Sequence, residues 1–293
     1  MLRAALGSAL SQRDVDLEVV VVENGSTDGT AEFLMGHEDP RVVPVISSEP
    51  LGGTGARNAG LRAAQGDWVG FLDDDDLWAP GKLRAQLDAA QQTGRDWVYT
   101  GCVYIDAQGV VIGGVPPPAP DEVVARLPER YVVPAGTSSM LWRAKVLDQG
   151  GLLDERLTYA VDWDLSLRLL RHGPPAAVRR PLVAYRQHGA NMSVRARTYL
   201  SELDVIAEKF ADLRGGRPLD VAYQHRNAGS ESLRAGMRRA AIASYWQALR
   251  LGDRGALLRA AALIVPAKAW PHLRRRVLAD RAWMREAEAW LPG

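Results

Sequence analysis

The apolar run Trp68-Val69-Gly70-Phe71-Leu72 ends in four consecutive carboxylates, Asp73 to Asp76. Adjacent acids repel one another and gain nothing from packing, so a fold that sets them at the mouth of a buried strand has a cation to hold there. An all-oxygen donor set suits Mg2+ or Mn2+. A solvated acidic turn is the plainer meaning of such a block, and the strand running straight into it argues against that. Upstream, Leu51-Gly52-Gly53-Thr54-Gly55-Ala56-Arg57-Asn58 allows close backbone approach and sets Arg57 on the first turns of a helix, where it can meet a diphosphate. Taken alone, the same glycines read as a tight turn with Arg57 on a solvated face. The run Val19 to Val22 ends in Glu23-Asn24-Gly25-Ser26, whose side-chain oxygens and loop amides, projecting from the carboxyl end of a strand, can hold a nucleobase edge. By itself, Ser26 to Thr30 is a helix cap.

The elements that must position these groups alternate. Helical periodicity opens the chain at Met1, and short apolar strands fall at 17–22, 41–46 and 67–72, with helices between them, which predicts a parallel sheet covered by helices. Residues 96–115 read as a β-hairpin turning through Asp106-Ala107-Gln108-Gly109, followed by a stiff proline connector at 116–120. Residues 121–160 are loop-rich with a short helix at 144–148, then comes a helix at 162–171 and a strand at 176–185. From about 193 onward the period is helical, with breaks expected at Gly215-Gly216, Gly229, Gly236, Gly252 and Pro266.

At 293 residues, 47% hydrophobic and 24% charged, the chain supports one large α/β domain or one domain with a helical appendix. A net charge of +1 removes the global electrostatic argument for a nucleic acid partner. The single cysteine, Cys102, excludes an internal disulfide and fits a reducing compartment, with the cytoplasm as the default. No apolar run approaches the roughly 18 to 20 residues that cross a bilayer, and the N-terminus lacks a secretory pattern.

Three segments in order, 19–30, 52–76 and 161–168, together with Tyr185-Arg186-Gln187-His188, resemble the family 2 glycosyltransferases. The resemblance covers roughly residues 2–195. It implies the GT-A fold, a Rossmann-like nucleotide-diphospho-sugar transferase architecture with a mostly parallel sheet flanked by helices, over 1–192, and leaves a C-terminal α-helical region, 193–293, outside it. It also implies an inverting transfer from a nucleotide-sugar donor, UDP or dTDP by family frequency, to a hydroxyl of a glycan, lipid-linked or polysaccharide acceptor of the cell envelope. On the matching positions, Glu23, Asn24, Ser26, Arg57, Asp73 and Asp74 hold the donor, and Asp75 binds Mn2+ or Mg2+, with His188 as a further metal-side residue. Asp76 is read as the cap of a helix opened by Pro80. Asp162 inherits the general base, with Val161 where the family has Glu, and Asp164 is the runner-up. On a helix those two positions point about 200° apart, so only one faces the site. Gly136, Thr137, Ser138 and Trp163 form the acceptor region, Trp142 is a second stacking candidate, and Arg186 is a candidate to assist the leaving group.

Glu23 departs from the Asp usual in the family. The glycine loop superficially resembles that of sugar nucleotidyltransferases, which place it after the first strand, so that activity is the third-ranked reading; the second is an inactive protein that binds a nucleotide-sugar. The resemblance further implies a strand and loop ahead of Met1, so the expectation is a sequence that starts late within a longer one and leaves parallel strand edges unpaired. The tail at 272–291 is amphipathic and basic at its start. It lies either on an anionic membrane, peripherally at the inner face, or against its own domain or a second copy in a homo-oligomer.

Overall fold

The computed structural model describes residues 1–187, 201–234, 236–261 and 281–291. The expected alternation is present: α1 (Leu2–Leu10), β1 (Val19–Glu23), α2 (Thr30–Met35), β2 (Val42–Ile46), α3 (Gly52–Ala63) and β3 (Trp68–Val69). β3 stops short at Gly70, which packs under the Trp78 ring, where a Cβ would come within 3.2 Å of it. Next come β4 (Leu77–Trp78), α4 (Lys82–Thr93), β5 (Trp97–Ile105), β6 (Val111–Val115), α5 (Pro120–Arg126), β7 (Met140–Arg143), α6 (Lys145–Gly150), α7 (Val161–His172) and β8 (Ala176–Arg186). The C-terminal part contributes α8 (Leu203–Lys209), α9 (Ala211–Arg214), α10 (Val221–Arg234), α11 (Arg238–Arg250), α12 (Gly255–Ala261) and α13 (Arg281–Glu288).

The α/β class with flanking helices holds, and the strand directions are the correction. β1 and β2 pair in parallel as a sheet of two. The remaining six form a separate sheet in the order β3-β7-β5-β8-β4, with β6 on β5, in which only β5 and β8 run parallel. Parallel pairing needs a long crossover, which residues 106–175 supply between β5 and β8 and α2 supplies in the first part of the chain. Beyond it, Asp106 accepts the N–H groups of Gln108 and Val110 and folds β5 directly back as β6.

β1 and β3 do not meet. Among the described residues neither has a second strand partner. A cavity of about 1130 Å3 separates them, walled by Leu2, Leu6, Val20, Leu61, Phe71 and Leu87. The four valines of β1 are left half-buried, although such β-branched runs usually mark strands covered on both faces. The main core lies on the other side, where Trp97, Tyr99, Trp142 and Trp163 pack with Leu157 and Leu165.

The C-terminal helices are not peripheral throughout. Leu203 and Ile206 of α8, and Phe210 just after it, belong to the core that holds Trp97 and Trp163. Gly229 does not break a helix: it lies inside α10, where a Cβ would meet ring carbons of Tyr245 at 2.7 Å, so it is the contact point with α11. Trp283 and Met284 of α13 pack with Val103, Ile105 and Ala184, so the apolar face of this helix is turned to the chain's own sheet. The basic stretch 272–278 and Pro266 lie outside the described residues. Pro120 opens α5 rather than extending the connector. Among the described residues no helix is long and apolar enough to cross a membrane.

Candidate active site

The four aspartates after β3 divide by environment: Asp74 is exposed, Asp73 and Asp75 are half-buried, and Asp76 is fully buried. Asp76 N–H donates to Asp73 C=O at 3.1 Å, closing the turn. Asp76 caps no helix, because α4 starts at Lys82 behind Gly81, which provides no side-chain cap. It faces inward instead, and its Oδ1 accepts Arg186 N–H at 3.0 Å. Burial, then the neighbouring Asp73 and Asp75, push its pKa well above the ordinary carboxylate range. Arg186 is likewise structural: its Nε donates to Asp75 C=O at 2.9 Å and its Nη1 to Asp106 C=O at 3.0 Å, so it fastens the acidic turn to the β5–β6 turn rather than pointing at a leaving group. His188 lies outside the described residues.

Arg57, on α3, donates from Nη2 to Asp73 Oδ1 at 2.8 Å. Burial alone would lower its pKa, but the charges of Asp73, Asp162 and Asp74 raise it, which places one guanidinium in the field of three site carboxylates. Asn24 ties the two glycine loops together, accepting Leu51 N–H at 2.6 Å and donating to Gly52 C=O at 3.3 Å. The Glu23 carboxylate accepts Ser26 N–H, which holds its pKa below the ordinary value, so Glu23 braces its own turn. These residues and Asp73 to Asp75 line one end of the cavity beside β1.

Asp162 is the second residue of α7, and its charge acts on Arg57 and Asp73 of the same cluster. Burial, partly offset by Arg57 and by the backbone N–H of Thr137, raises its pKa to about 6. Gly136 sits at φ +53, and a Cβ there would overlap the Asp162 carboxylate, so only glycine fits. Ser138 completes a strap to the acidic turn, its Oγ accepting Asp73 N–H at 3.2 Å and its C=O accepting Trp78 Nε1 at 2.8 Å. Gly136 to Ser138 were expected to meet the acceptor. Thr137 and Ser138 are buried, and the segment joins the Asp162 carboxylate to the acidic turn.

Three further expectations are corrected. Trp163 is 1% exposed and donates from Nε1 to Leu127 C=O at 2.7 Å, so it is core and cannot stack on a sugar. Trp142 is fully buried against Phe71. Asp164 is fully buried and ion-paired with Arg168 at 3.2 Å and with Lys209, which removes it as a base and leaves Asp162 as the carboxylate of the pair facing the cluster.

Sequence reasoning missed the residues that hold the loop before α7. Asn58 donates to Leu153 C=O at 3.0 Å and to Glu155 at 2.9 Å, and accepts Leu153 N–H at 2.8 Å; Thr54 Oγ1 donates to Leu157 C=O. The available signal was their spacing, four apart on the face of α3 opposite to solvent. From the other side comes Glu202, whose carboxylate accepts the N–H groups of Thr158, Tyr159 and Ala160.

Among the described residues no three His, Cys, Asp or Glu side chains are grouped to hold a metal. Asp73 is engaged by Arg57, and Asp75 is half-buried where the acidic turn lines the cavity. That donor set fits a hard dication of the Mg2+ or Mn2+ type, which binds through one or two carboxylates and completes its shell with substrate phosphates and water.

The fold and the site together define a GT-A-type sugar-nucleotide transferase architecture. Residues 1–146 match the family model described as glycosyl transferase family 2, and the chain belongs to that family. It is 42% identical over 90 residues to the succinoglycan biosynthesis protein ExoO of Rhizobium meliloti, a match spanning 31% of this chain and 26% of the relative. It is 31% identical over 110 residues to the UDP-Glc:alpha-D-GlcNAc-diphosphoundecaprenol beta-1,3-glucosyltransferase WfaP of Escherichia coli, spanning 38% of this chain and 43% of WfaP. The chain thus covers less than half the length of either relative. Among solved structures, the mannosyltransferase PcManGT of Pyrobaculum calidifontis, in complex with GDP-Man and Mn2+, superposes with a TM-score of 0.52 at 19% identity, covering 98% of this chain and 82% of that one.

Proposed function

We propose that this chain is an inverting glycosyltransferase that moves a sugar from a nucleoside diphosphate to a hydroxyl, with Asp162 as general base. The observation that carries the reading is the convergence on Arg57 of the acidic turn and of Asp162, whose pKa is raised to about 6. A carboxylate poised there is ionised near neutral pH and still basic enough to accept a proton. The acceptor oxygen forms a bond to the anomeric carbon as its proton passes to Asp162. The bond from that carbon to the diphosphate breaks, and its electron pair leaves with the nucleoside diphosphate. Arg57, held in place by Asp73, orients and neutralises the departing phosphates. Asp75 is the residue to hold Mn2+ or Mg2+, which when bound supplies further charge neutralisation on the diphosphate. Glu23, Asn24 and Ser26 form the loop for the nucleoside.

UDP or dTDP is the nucleotide favoured by resemblance, and WfaP, named for a UDP-Glc donor and a diphosphoundecaprenol acceptor, supports a UDP-sugar and a lipid-linked glycan. A lipid-linked acceptor would place the enzyme at the inner face of the membrane. The test is thermal stability against a panel of nucleoside diphosphates and their sugars, each with and without Mn2+, on the chain and on Asp75→Ala. A metal-dependent stabilisation by one nucleotide, absent from the variant, is expected. No response to any nucleotide would overturn the donor site. Binding without release of nucleoside diphosphate would leave a nucleotide-sugar-binding protein.

A further inference from the structure

The loop that feeds α7 ends in three consecutive backbone N–H groups, those of Thr158, Tyr159 and Ala160. All three turn to one carboxylate: Glu202 Oε1 accepts the first at 3.0 Å, and Oε2 accepts the second and third at 2.9 and 2.8 Å. Glu202 comes from outside the matched family segment, 42 residues beyond Ala160, and is itself buried. Ala160, at the N-cap of α7, has no side chain able to cap, and none from the neighbouring residues does so. An anion at this end also complements the helix dipole.

The helix so capped carries Asp162 two residues on. The loop is gripped on its other side by Thr54 and Asn58, which share α3 with Arg57. The segment bearing Glu202 is itself anchored: Lys209, at the end of α8, pairs with Asp154 at 3.2 Å and with Asp164 of α7, and Leu203, Ile206 and Phe210 sit in the core. The base is therefore aimed by a clamp whose two jaws are α3 and the C-terminal helices.

We infer that Glu202 is a positioning residue for the base, a remote cap that fixes the start of α7 and with it the distance of Asp162 from Arg57 and the donor. The role rests on Asp162 being the base. The capping itself does not, so the two can fail separately.

The full chain and its Glu202→Gln and Glu202→Ala variants are compared by amide hydrogen exchange. Gln keeps one acceptor oxygen and replaces the other by a donor that opposes the loop amides. Peptides spanning 157–163 should be protected in the parent and exchange at least tenfold faster in Glu202→Gln, while peptides of β5 are unchanged. Equal exchange of 157–163 in parent and variant, or no protection in the parent, would overturn the capping. Turnover is then read with the sugar nucleotide selected by the stability panel. Glu202→Gln should lower kcat about tenfold with donor KM and nucleotide-induced stabilisation unchanged. Phe210→Leu, which removes core volume near the same helix but leaves the cap, should lower Tm with kcat retained. A kcat unchanged in Glu202→Gln, with Asp162→Asn inactive, would overturn the positioning role and leave the base in place. Activity in Asp162→Asn would overturn the base instead.

Discussion

β1 and β5 are both strongly apolar strands with a parallel neighbour, yet they live in different surroundings. The four valines of β1 are half-buried beside a cavity, whereas every residue of β5 except Tyr104 is buried. What separates them is neighbours: β5 is paired on both edges, and β1, among the described residues, on one. Apolarity makes a strand willing to be buried, but only flanking elements bury it. The turn of Glu23 and Asn24 thus rests on the looser layer, and Asp162 on the tighter one.

The most severe test falls on the tight side. Asp162→Asn should cut transfer by about 10²–10⁴-fold, the range for losing a general base, and leave nucleotide binding intact. It should also raise Tm. The native fold holds the Asp162 proton more tightly than the unfolded chain does. The acid's contribution to stability is therefore present below its ordinary carboxylate range and is lost as pH rises from there through about 6. Asn does not titrate, so the gain in Tm over the parent should be large at pH 7.5 and small at pH 4. Parental kcat should climb through the same window. A variant less stable than the parent at pH 7.5 would remove the buried-carboxylate account.

Next in size are matched truncations. Val103→Ala in β5 removes two methyls from a fully buried position and should cost about 2 kcal/mol, whereas Val20→Ala beside the cavity should cost less than about 1 kcal/mol, because its surroundings are already open. Urea denaturation of both decides it; equal costs would mean that the cavity closes in solution. An apolar strand of about five residues, matched in length to β1 and joined by a short turn ahead of Met1, should raise Tm by several degrees by filling the space and pairing the edges of β1 and β3 that have no partner among the described residues. An unchanged Tm would make the two-sheet arrangement a settled feature of this chain. The smallest effect should come from Asp212→Ala, which breaks an exposed pair with Arg171 and should cost under about 0.5 kcal/mol.

Much of this was legible in the sequence where local chemistry decides. The β-branched runs between turn residues gave β1 and β2, and the Asp-rich turn marked the end of β3. Helical geometry alone required that one of Asp162 and Asp164 face away, and Asp164 does, into the core. Asp76 was not legible, because four identical acids differ only through what surrounds them, and its partner Arg186 is 110 residues away. Trp163 and Trp142 were candidates to stack on sugars although tryptophans so close to apolar segments are more often core, and the packing of Leu127 and Phe71 makes them core. Gly229 resembled a breaker because the ring that needs its missing Cβ belongs to the next helix. Glu202 had no local signature: a cap separated by 42 residues from the amides it serves is visible only once the chain is folded.

The sharing of one core by Leu203, Ile206, Phe210 and Trp163 also sets where this protein can be cut and recombined. A chimera that exchanges C-terminal helices at residue 192 would split a packed interior and strip the cap from α7. The attachments run further still, since Asp220 pairs with Arg130 at 3.1 Å and its N–H donates to Glu129 C=O. A junction beyond Asp220 does not release the rest either, because Val221 of α10 packs against the same core and Trp283 and Met284 of α13 against Val103, Ile105 and Ala184, so these helices exchange only together with the surfaces they cover.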